Sequence, residues 1–150
     1  MFASDSFLIS QVYNESRASR ALQQYRMARL RGQLNHLWSA LTGRSRSLHR
    51  LPKTTAGGQR FAGLQAVPLR QIRGTEGRAD DFDRDFNPLT DHTRARWLSV
   101  FTAWEKDVAL PPVELIGVGE SYFVRDGHHR ISVARALGQD YIEGVVTVRE

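Results

Sequence analysis

The stretch from Tyr122 to Gly138, YFVRDGHHRISVARALG, most constrains what this chain can fold into. An apolar run stops at Asp126 and Gly127, and apolar residues then recur at helical spacing until Gly138. A glycine in that place is typical of the residue that ends a helix. The pattern therefore predicts a strand, a tight turn and a helix.

The predicted turn carries His128, His129 and Arg130 on the first turn of its helix. The first backbone N–H groups of a helix have no partner inside it, and with a neighbouring arginine they form a site for anions, most naturally phosphate. Asp126 is expected to cap the turn or to approach a metal ion. A purely structural interpretation stays open, in which Asp126 only caps the helix, Gly127 only supplies a positive φ and the histidines lie on the surface.

Residues 110–148, LPPVELIGVGESYFVRDGHHRISVARALGQDYIEGVVTV, resemble the ParB/sulfiredoxin superfamily. The DGHHR turn is most similar to the ParB-like branch that includes the free serine kinases. Residues 67–78, VPLRQIRGTEGR, resemble the first strand of that family and the acidic loop after it. The resemblance implies an α/β (α+β) fold with a small mixed sheet and helices, here preceded by an N-terminal basic helical extension.

The same resemblance implies a nucleotide ligand, ATP, ADP or CTP, held with Mg²⁺. The residues that match the nucleotide-binding positions are Gly127, His128, His129 and Arg130, together with Arg78. Arg130 is the expected phosphate anchor, and the two histidines are expected to assist it.

Catalytic roles are predicted for Glu76 and Asp126. In the kinase-like branch the acid just after the first strand is the expected base, and Glu76 in TEGR matches that position. The surrounding loop 74–88 also holds four aspartates, which beside a phosphate site would bind Mg²⁺ and elsewhere would be a solvated surface. Its alternating acids lack the glycine and glutamate of a calcium loop, and Phe82 and Phe86 are expected to pack the loop onto the domain.

The chain has no cysteine, which excludes disulfides, thiolate zinc sites and the sulfiredoxin reaction. Adjacent histidines diverge by about 100° on a helix, so no zinc site is expected at His128 and His129. No apolar run approaches the roughly 20 residues of a membrane span. A cytoplasmic protein without a membrane span is therefore expected.

Positive charge is concentrated in the first part of the chain. Residues 1–65 hold ten Lys or Arg against two acids, a net of +8, and residues 66–150 hold eleven against fourteen, a net of −3. Apolar residues from Leu22 to Leu41 predict an amphipathic helix over residues 16–41, with a kink possible at Gly32. Such a helix binds nucleic acid, lies on an anionic membrane, or packs on its own domain or on a second copy in a homodimer.

Residues 42–63 lack periodicity and predict a linker, which divides the chain into a basic helical extension with linker (1–63) and a nucleotide-binding domain (64–150). The domain is predicted to begin with a strand over 66–72. A helix is predicted from its cap at Thr90 to residue 106, followed by a hairpin of 113–118 with 122–125 and a last strand over 145–148. Trp97 is expected in the core, with stacking on a base beside Arg96 as the alternative.

Three functions remain open on these residues. The first is a Mg²⁺-dependent phosphotransferase or NTPase, and the second is a nucleotide-gated interaction switch without turnover. The third is a nucleic-acid-binding protein or nuclease that uses the basic N-terminal region. Because no helix-turn-helix region follows residue 150 in this sequence, reading of a specific DNA site is not expected.

Overall fold

The computed structural model describes residues 2–52, 57–77 and 80–150, with side chains from residue 5 onward. The elements are, in chain order, α1 (Phe2–Thr42), β1 (His49–Arg50), β2 (Gln59–Pro68), β3 (Ile72–Thr75), α2 (Arg94–Glu105), β4 (Val113–Val118), β5 (Ser121–Asp126), α3 (His128–Ala136) and β6 (Tyr141–Arg149). Two single turns of 3₁₀ helix cover Leu69–Gln71 and Asp91–Thr93. The predicted mixed α/β fold with an N-terminal helix is confirmed.

The strands of the described residues form one mixed sheet in the order β1-β3-β5-β4-β6-β2. Strands β1, β3 and β5 run parallel, β4 pairs antiparallel with β5, and β6 runs parallel to β4. The outer strand β2 pairs antiparallel with β6 along nearly its whole length. The carboxyl ends of β3 and β5 therefore meet at one edge of the sheet, and the chain enters α3 from that edge.

The predictions for the second half of the chain are confirmed in type and order. The hairpin β4–β5, the turn at Gly127, the helix α3 and the last strand all form. Gly138 has φ 71°, and its N–H donates to the carbonyl oxygen of Arg135, as expected of a glycine that ends a helix. Thr90 is not a side-chain cap, because its hydroxyl lies 3.4 Å from a carboxylate oxygen of Asp81.

The predicted first strand over 66–72 is wrong in its bounds. Residues 59–63, expected in the linker, belong to β2 because they pair with the far end of β6, a long-range partner that local composition does not show. After the 3₁₀ turn Leu69–Gln71 the chain continues as β3. Leu48, also expected in the linker, is buried in the core at 4% exposure. The division of the chain into two units at residue 63 stays a prediction.

Two buried clusters lie on either side of α3. One covers the sheet and includes Ile131 of α3 with Phe82 and Phe86 of the acidic loop, so the prediction that these two rings pack the loop onto the domain is confirmed. The other joins Val133 of α3 to α2 and to α1. Because α3 packs on both sides, its two ends are held in fixed positions.

Helix α1 is longer than predicted, and the face that packs on α2 includes only one buried member of the predicted apolar stripe, Tyr25. Its side toward α2 carries small residues and one tyrosine, Ala21, Tyr25 and Ala28. The predicted apolar stripe is largely uncovered, and its exposed members are Leu30, Leu34, Leu37, Trp38 and Leu41. The prediction that the stripe packs on the same chain is confirmed for Tyr25 and wrong for these five exposed residues, and packing of the stripe on a second copy stays a prediction.

Gly32 explains why the small face of α1 is the one that packs. A Cβ at this position would lie 2.9 Å from the carbonyl oxygen of Pro88, so only glycine allows the helix to approach the acidic loop so closely. The helix continues through Gly32 to Thr42 without a break. Leucine side chains on that face would hold the loop away.

No described helix is long and apolar enough to cross a membrane.

Candidate functional site

The turn between β5 and α3 has the geometry that the sequence predicts. Gly127 has φ 107°, in the left-handed region, and the first bond of the helix runs from the N–H of Ile131 to the carbonyl oxygen of Gly127 at 3.0 Å. The amides of His128, His129 and Arg130 precede that bond and lie at the positive end of the helix dipole. Together they form a row of donors suited to an anion.

A cleft of about 390 Å³ opens in front of these amides. One wall is the turn itself, from Asp126 to Arg130, and the others come from the acidic loop, from α2 and from the segment before β4. Those other lining residues are Asp81, Phe82, Arg96, Val100, Leu110 and Pro111. The structure therefore brings together five of the seven predicted site residues.

His128 is held by the domain on three sides. Its Nε2 lies 2.7 Å from the hydroxyl of Thr75 at the end of β3, and its ring stacks on Phe82 and tilts against Phe86. Burial lowers the pKa of His128, and the carboxylates of Asp126 and Asp81 oppose that shift. The ring is neutral at neutral pH and fixed in orientation.

His129 faces the cleft with fewer contacts. Phe82 meets its ring edge-on at a centroid separation of 5.2 Å. Burial, with the nearby charge of Arg96, lowers the pKa of His129 from 6.5 to about 4. At neutral pH this imidazole is uncharged, so it can donate a hydrogen bond from one nitrogen and accept one at the other.

Arg130 is occupied by the protein itself. Its Nη1 donates to the carbonyl oxygens of Pro111 and Pro112, and its Nη2 donates to Asp126 at 2.9 Å. These bonds fix the segment before β4 against the turn. The prediction that Asp126 caps the helix is wrong, because its carboxylate binds Arg130 and the first turn has no side-chain cap.

Glu76 lies at the end of β3 but does not line the cleft. Its carboxylate accepts from Arg125 of β5 at 3.0 Å and from Arg149 of β6 at 3.2 Å. The hydrogen bond from Arg125 and the charges of both arginines outweigh burial and lower the pKa of Glu76. Arg78 lies outside the described residues. The roles predicted for both side chains stay predictions.

Two lining residues, Asp81 and Arg96, were not assigned to the site from the sequence. Asp81 was one of several acids in its loop, and its contact with His92, at 2.8 Å, depends on the path of the loop. Arg96 was considered only as a partner of Trp97. Trp97 is fully buried and donates to the hydroxyl of Ser132 at 2.9 Å, so it is a core residue and unavailable for stacking on a base.

One acid of the loop, Asp83, has a structural role. Asp83 is buried and accepts from the backbone N–H groups of Asp85 and Asn87 and from the side chains of Asn35 and Asn87. It organises the loop and ties it to α1. Within the part of the chain that the structure describes, no three His, Asp or Glu residues are placed to hold a metal ion by themselves.

The arginines of α1 are used in part to hold the helix in place. Arg20 pairs with Glu105 at 3.0 Å, and Arg29 pairs with Asp91 at 3.2 Å. Arg46, just after the helix, bonds to Asn35 and approaches Asp85. This part of the basic N-terminal region therefore contacts its own domain, and nucleic-acid binding by that region stays a prediction.

Comparisons with known proteins give one partial likeness. No protein-family description matches the sequence, and no curated protein matches it. A solved structure that resembles this one is sulfiredoxin from Arabidopsis thaliana, with a TM-score of 0.41 and 18% identity over 55% of this chain and 82% of that chain. The ParB/sulfiredoxin superfamily, which the DGHHR turn resembles, takes part of its name from sulfiredoxin. The likeness is partial and says nothing about activity.

Proposed function

We propose that the protein binds the phosphate groups of a nucleotide in the cleft at the start of α3. The observation that supports this most is the row of amides from His128 to Arg130, which opens into a cleft of about 390 Å³. Gly127 is required for it: a Cβ there would lie 2.5 Å from Cγ1 of Val113. A glycine in this conformation lets the ligand approach the backbone closely.

Arg96 is the positive charge best placed to meet the ligand. It lines the cleft from α2 with an exposed side chain. Within the described residues it forms no ion pair, whereas Arg130 is bound to Asp126 and two carbonyl oxygens. Arg130 therefore builds the wall of the cleft, and Arg96 supplies the charge that attracts phosphate. His129 adds a neutral donor beside it.

Mg²⁺ fits this arrangement as a companion of the ligand. Asp81 and Asp126 line the cleft, and Mg²⁺ is commonly held by one or two carboxylates with the substrate phosphates completing its shell. When bound, the ion would neutralise phosphate charge. Asp126 has an exposed side chain with only its Oδ2 engaged, by Arg130, so Oδ1 is available to the ion.

Turnover depends on a base, for which the sequence predicts Glu76; Asp126 is the other residue with a predicted catalytic role. Asp126 lines the cleft, whereas Glu76 is clamped between two arginines and is kept ionised by a lowered pKa. A carboxylate with a lowered pKa is a weaker base. These contacts favour a structural role for Glu76, in which it joins the ends of β3, β5 and β6.

The test is isothermal titration of the purified protein with ATP, ADP, CTP and GTP in the presence of Mg²⁺, beside Arg96→Gln. We expect one nucleotide to bind and the variant to weaken it about tenfold or more, the effect of one charge-assisted hydrogen bond. The matched control is Arg94→Gln, which removes an exposed arginine two residues away that does not line the cleft. Equal losses in both variants, or no binding of any nucleotide, would contradict the proposal.

Release of a diphosphate or monophosphate in the same solution distinguishes an enzyme from a switch. Glu76→Gln and Asp126→Asn are then compared for turnover and for melting temperature. If a residue is the catalytic base, its variant should lose turnover and keep the melting temperature of the wild type. If a residue has a structural role, its variant should melt at a lower temperature and keep turnover while folded.

A further inference from the structure

Two further clefts lie at the other end of α3. The larger, about 820 Å³, runs between α1, the acidic loop and the segment that joins α3 to β6. The smaller, about 380 Å³, lies beside the start of β3. The two adjoin, because Arg70, Asp85 and Arg135 line both.

The walls of these clefts are strongly basic. Five arginines line them, from α1, the 3₁₀ turn, β3, the acidic loop and α3, and the only acids among the lining residues are Asp85 and Asp140. The arginines are Arg31, Arg70, Arg73, Arg84 and Arg135. Four of them lie in the part of the chain whose net charge is negative, so the charge is gathered by the fold and is not visible as a run in the sequence.

Three of these guanidinium groups are available to a ligand. Arg70, Arg73 and Arg84 have exposed side chains, and within residues 2–52, 57–77 and 80–150 none of them forms an ion pair or donates a side-chain hydrogen bond. Asp85, the acid that both clefts share, instead approaches Arg46 at 3.5 Å. Like charges that line the same clefts repel one another, and an anionic ligand relieves that repulsion.

Arg135 gives the clefts a fixed point. Its Nη2 donates to the carbonyl oxygens of Leu69 at 2.7 Å and Ile72 at 3.1 Å, and the group lies over the ring of Phe86. Its Nε is buried and has no partner among the described residues. A guanidinium that is already immobilised loses little freedom when it meets a phosphate.

We propose that these clefts bind the phosphodiester backbone of a single-stranded nucleic acid. Arginine forks match phosphate oxygens, and three available ones on separate elements, beside the immobilised Arg135, suit a chain of phosphates better than one pyrophosphate group. Tyr141 lines the larger cleft and is 56% exposed, which offers a ring for a base to stack on. The site is separate from the nucleotide cleft, and Arg31 is the one arginine of the basic N-terminal region among its lining residues.

The test is fluorescence anisotropy with a labelled oligothymidylate of about 12 nucleotides, within the usual site size of single-strand binders. The cleft variant Arg70→Gln, Arg73→Gln, Arg84→Gln is compared with the control variant Arg26→Gln, Arg44→Gln, Arg94→Gln. Both remove three exposed arginines, and the control residues do not line these clefts. Circular dichroism and a thermal melt confirm that each variant folds.

We expect the full chain to bind the oligonucleotide and the cleft variant to lose affinity more than tenfold while the control loses a few-fold. The slope of log affinity against log salt should flatten by about 2 in the cleft variant, at about 0.7 per phosphate contact. Equal losses in both variants would mean that affinity depends only on the net charge of the protein, and would overturn the proposal. A larger loss in the control would overturn the proposal and place the binding outside these clefts, and no binding by the full chain would overturn it outright.

Discussion

The two proposed anion sites, at the start and at the end of α3, differ in how they are built. At its start, backbone amides and neutral imidazoles converge behind Gly127, and the one arginine of that turn is bound to protein carbonyl oxygens. At its end, arginine side chains from five elements line two open clefts. The helix itself spans only about 13 Å, at 1.5 Å per residue.

Binding at the start of α3 would depend mainly on the geometry of the amides, and binding at its end mainly on the charge of the arginines. Amides fixed by a helix point in one direction and select a small group that fits among them. Exposed arginines attract any polyanion and select little, and their affinity falls steeply with salt. We therefore expect a specific small ligand at the start of α3 and an unspecific, extended one at its end.

The largest effect is expected from Gly127→Ala, compared with Gly138→Ala at the other end of the helix. Both glycines have left-handed φ values, but a Cβ on Gly127 lies 2.5 Å from Val113 while one on Gly138 meets nothing within 4 Å. Urea denaturation should show losses of about 3 kcal/mol for Gly127→Ala, from strain and overpacking, and about 1 kcal/mol for Gly138→Ala. Similar losses in both would mean that the turn is not crowded.

The next effect concerns the arginines that bind carbonyl oxygens at each end. Arg135→Gln should lower the free energy of unfolding by about 2 kcal/mol, because its partner residues Leu69 and Ile72 are buried and water cannot replace it. Arg130→Gln should cost about 1 kcal/mol, since Pro111 is exposed and water can bind its carbonyl oxygen. Urea denaturation of both variants checks the order, and a reversed order contradicts it.

Lowering the pH should reduce the free energy of unfolding through protonation of His129 at the start of α3. Its pKa is about 4 in the folded protein against 6.5 unfolded, so the unfolded state binds the proton first and this contribution to stability is lost as pH falls below 6.5. Solvent screening of the partly buried ring reduces the loss between pH 7 and pH 5 to about 1 kcal/mol. Wild type and His129→Gln are compared by urea denaturation at both pH values. An identical pH dependence in the two proteins would exclude His129 as its source.

The smallest effect is expected from a single arginine of the clefts. Arg70→Gln should weaken oligonucleotide binding a few-fold and flatten its salt slope by about 0.7, without changing the affinity for the nucleotide. Anisotropy at several salt concentrations gives the slope, and calorimetry gives the nucleotide affinity. A change in the nucleotide affinity would show that the two ends of α3 share one site.

The start of α3 was predictable because its signals are local. The apolar run before Asp126, the glycine and the helical spacing up to Gly138 each act within a few residues, so strand, turn and helix followed from the sequence. The placement of Asp126 did not follow, because a cap and an ion pair to Arg130 use the same carboxylate. The choice depends on where Pro111 and Pro112 hold Arg130.

The end of α3 was not predictable for the opposite reason. Arg70, Arg84 and Arg135 are scattered along the chain and meet only because β3, the acidic loop and α3 converge. The strand β2 was missed in part because its partner β6 is about 80 residues away. The sequence predicted only Tyr25 of the packed face of α1, because Gly32 and two alanines, not the leucines, fit beside it against the domain.

Binding of nucleotide phosphate at the start of α3 is tested most directly by following backbone amide resonances while a nucleotide with Mg²⁺ is added. We expect the amide signals of His128, His129 and Arg130 to move and to saturate together, with the signals of Arg135 and Gly138 unchanged. Shifts confined to Arg135, Gly138 and the start of β3 would contradict the claim and place the nucleotide in the arginine clefts.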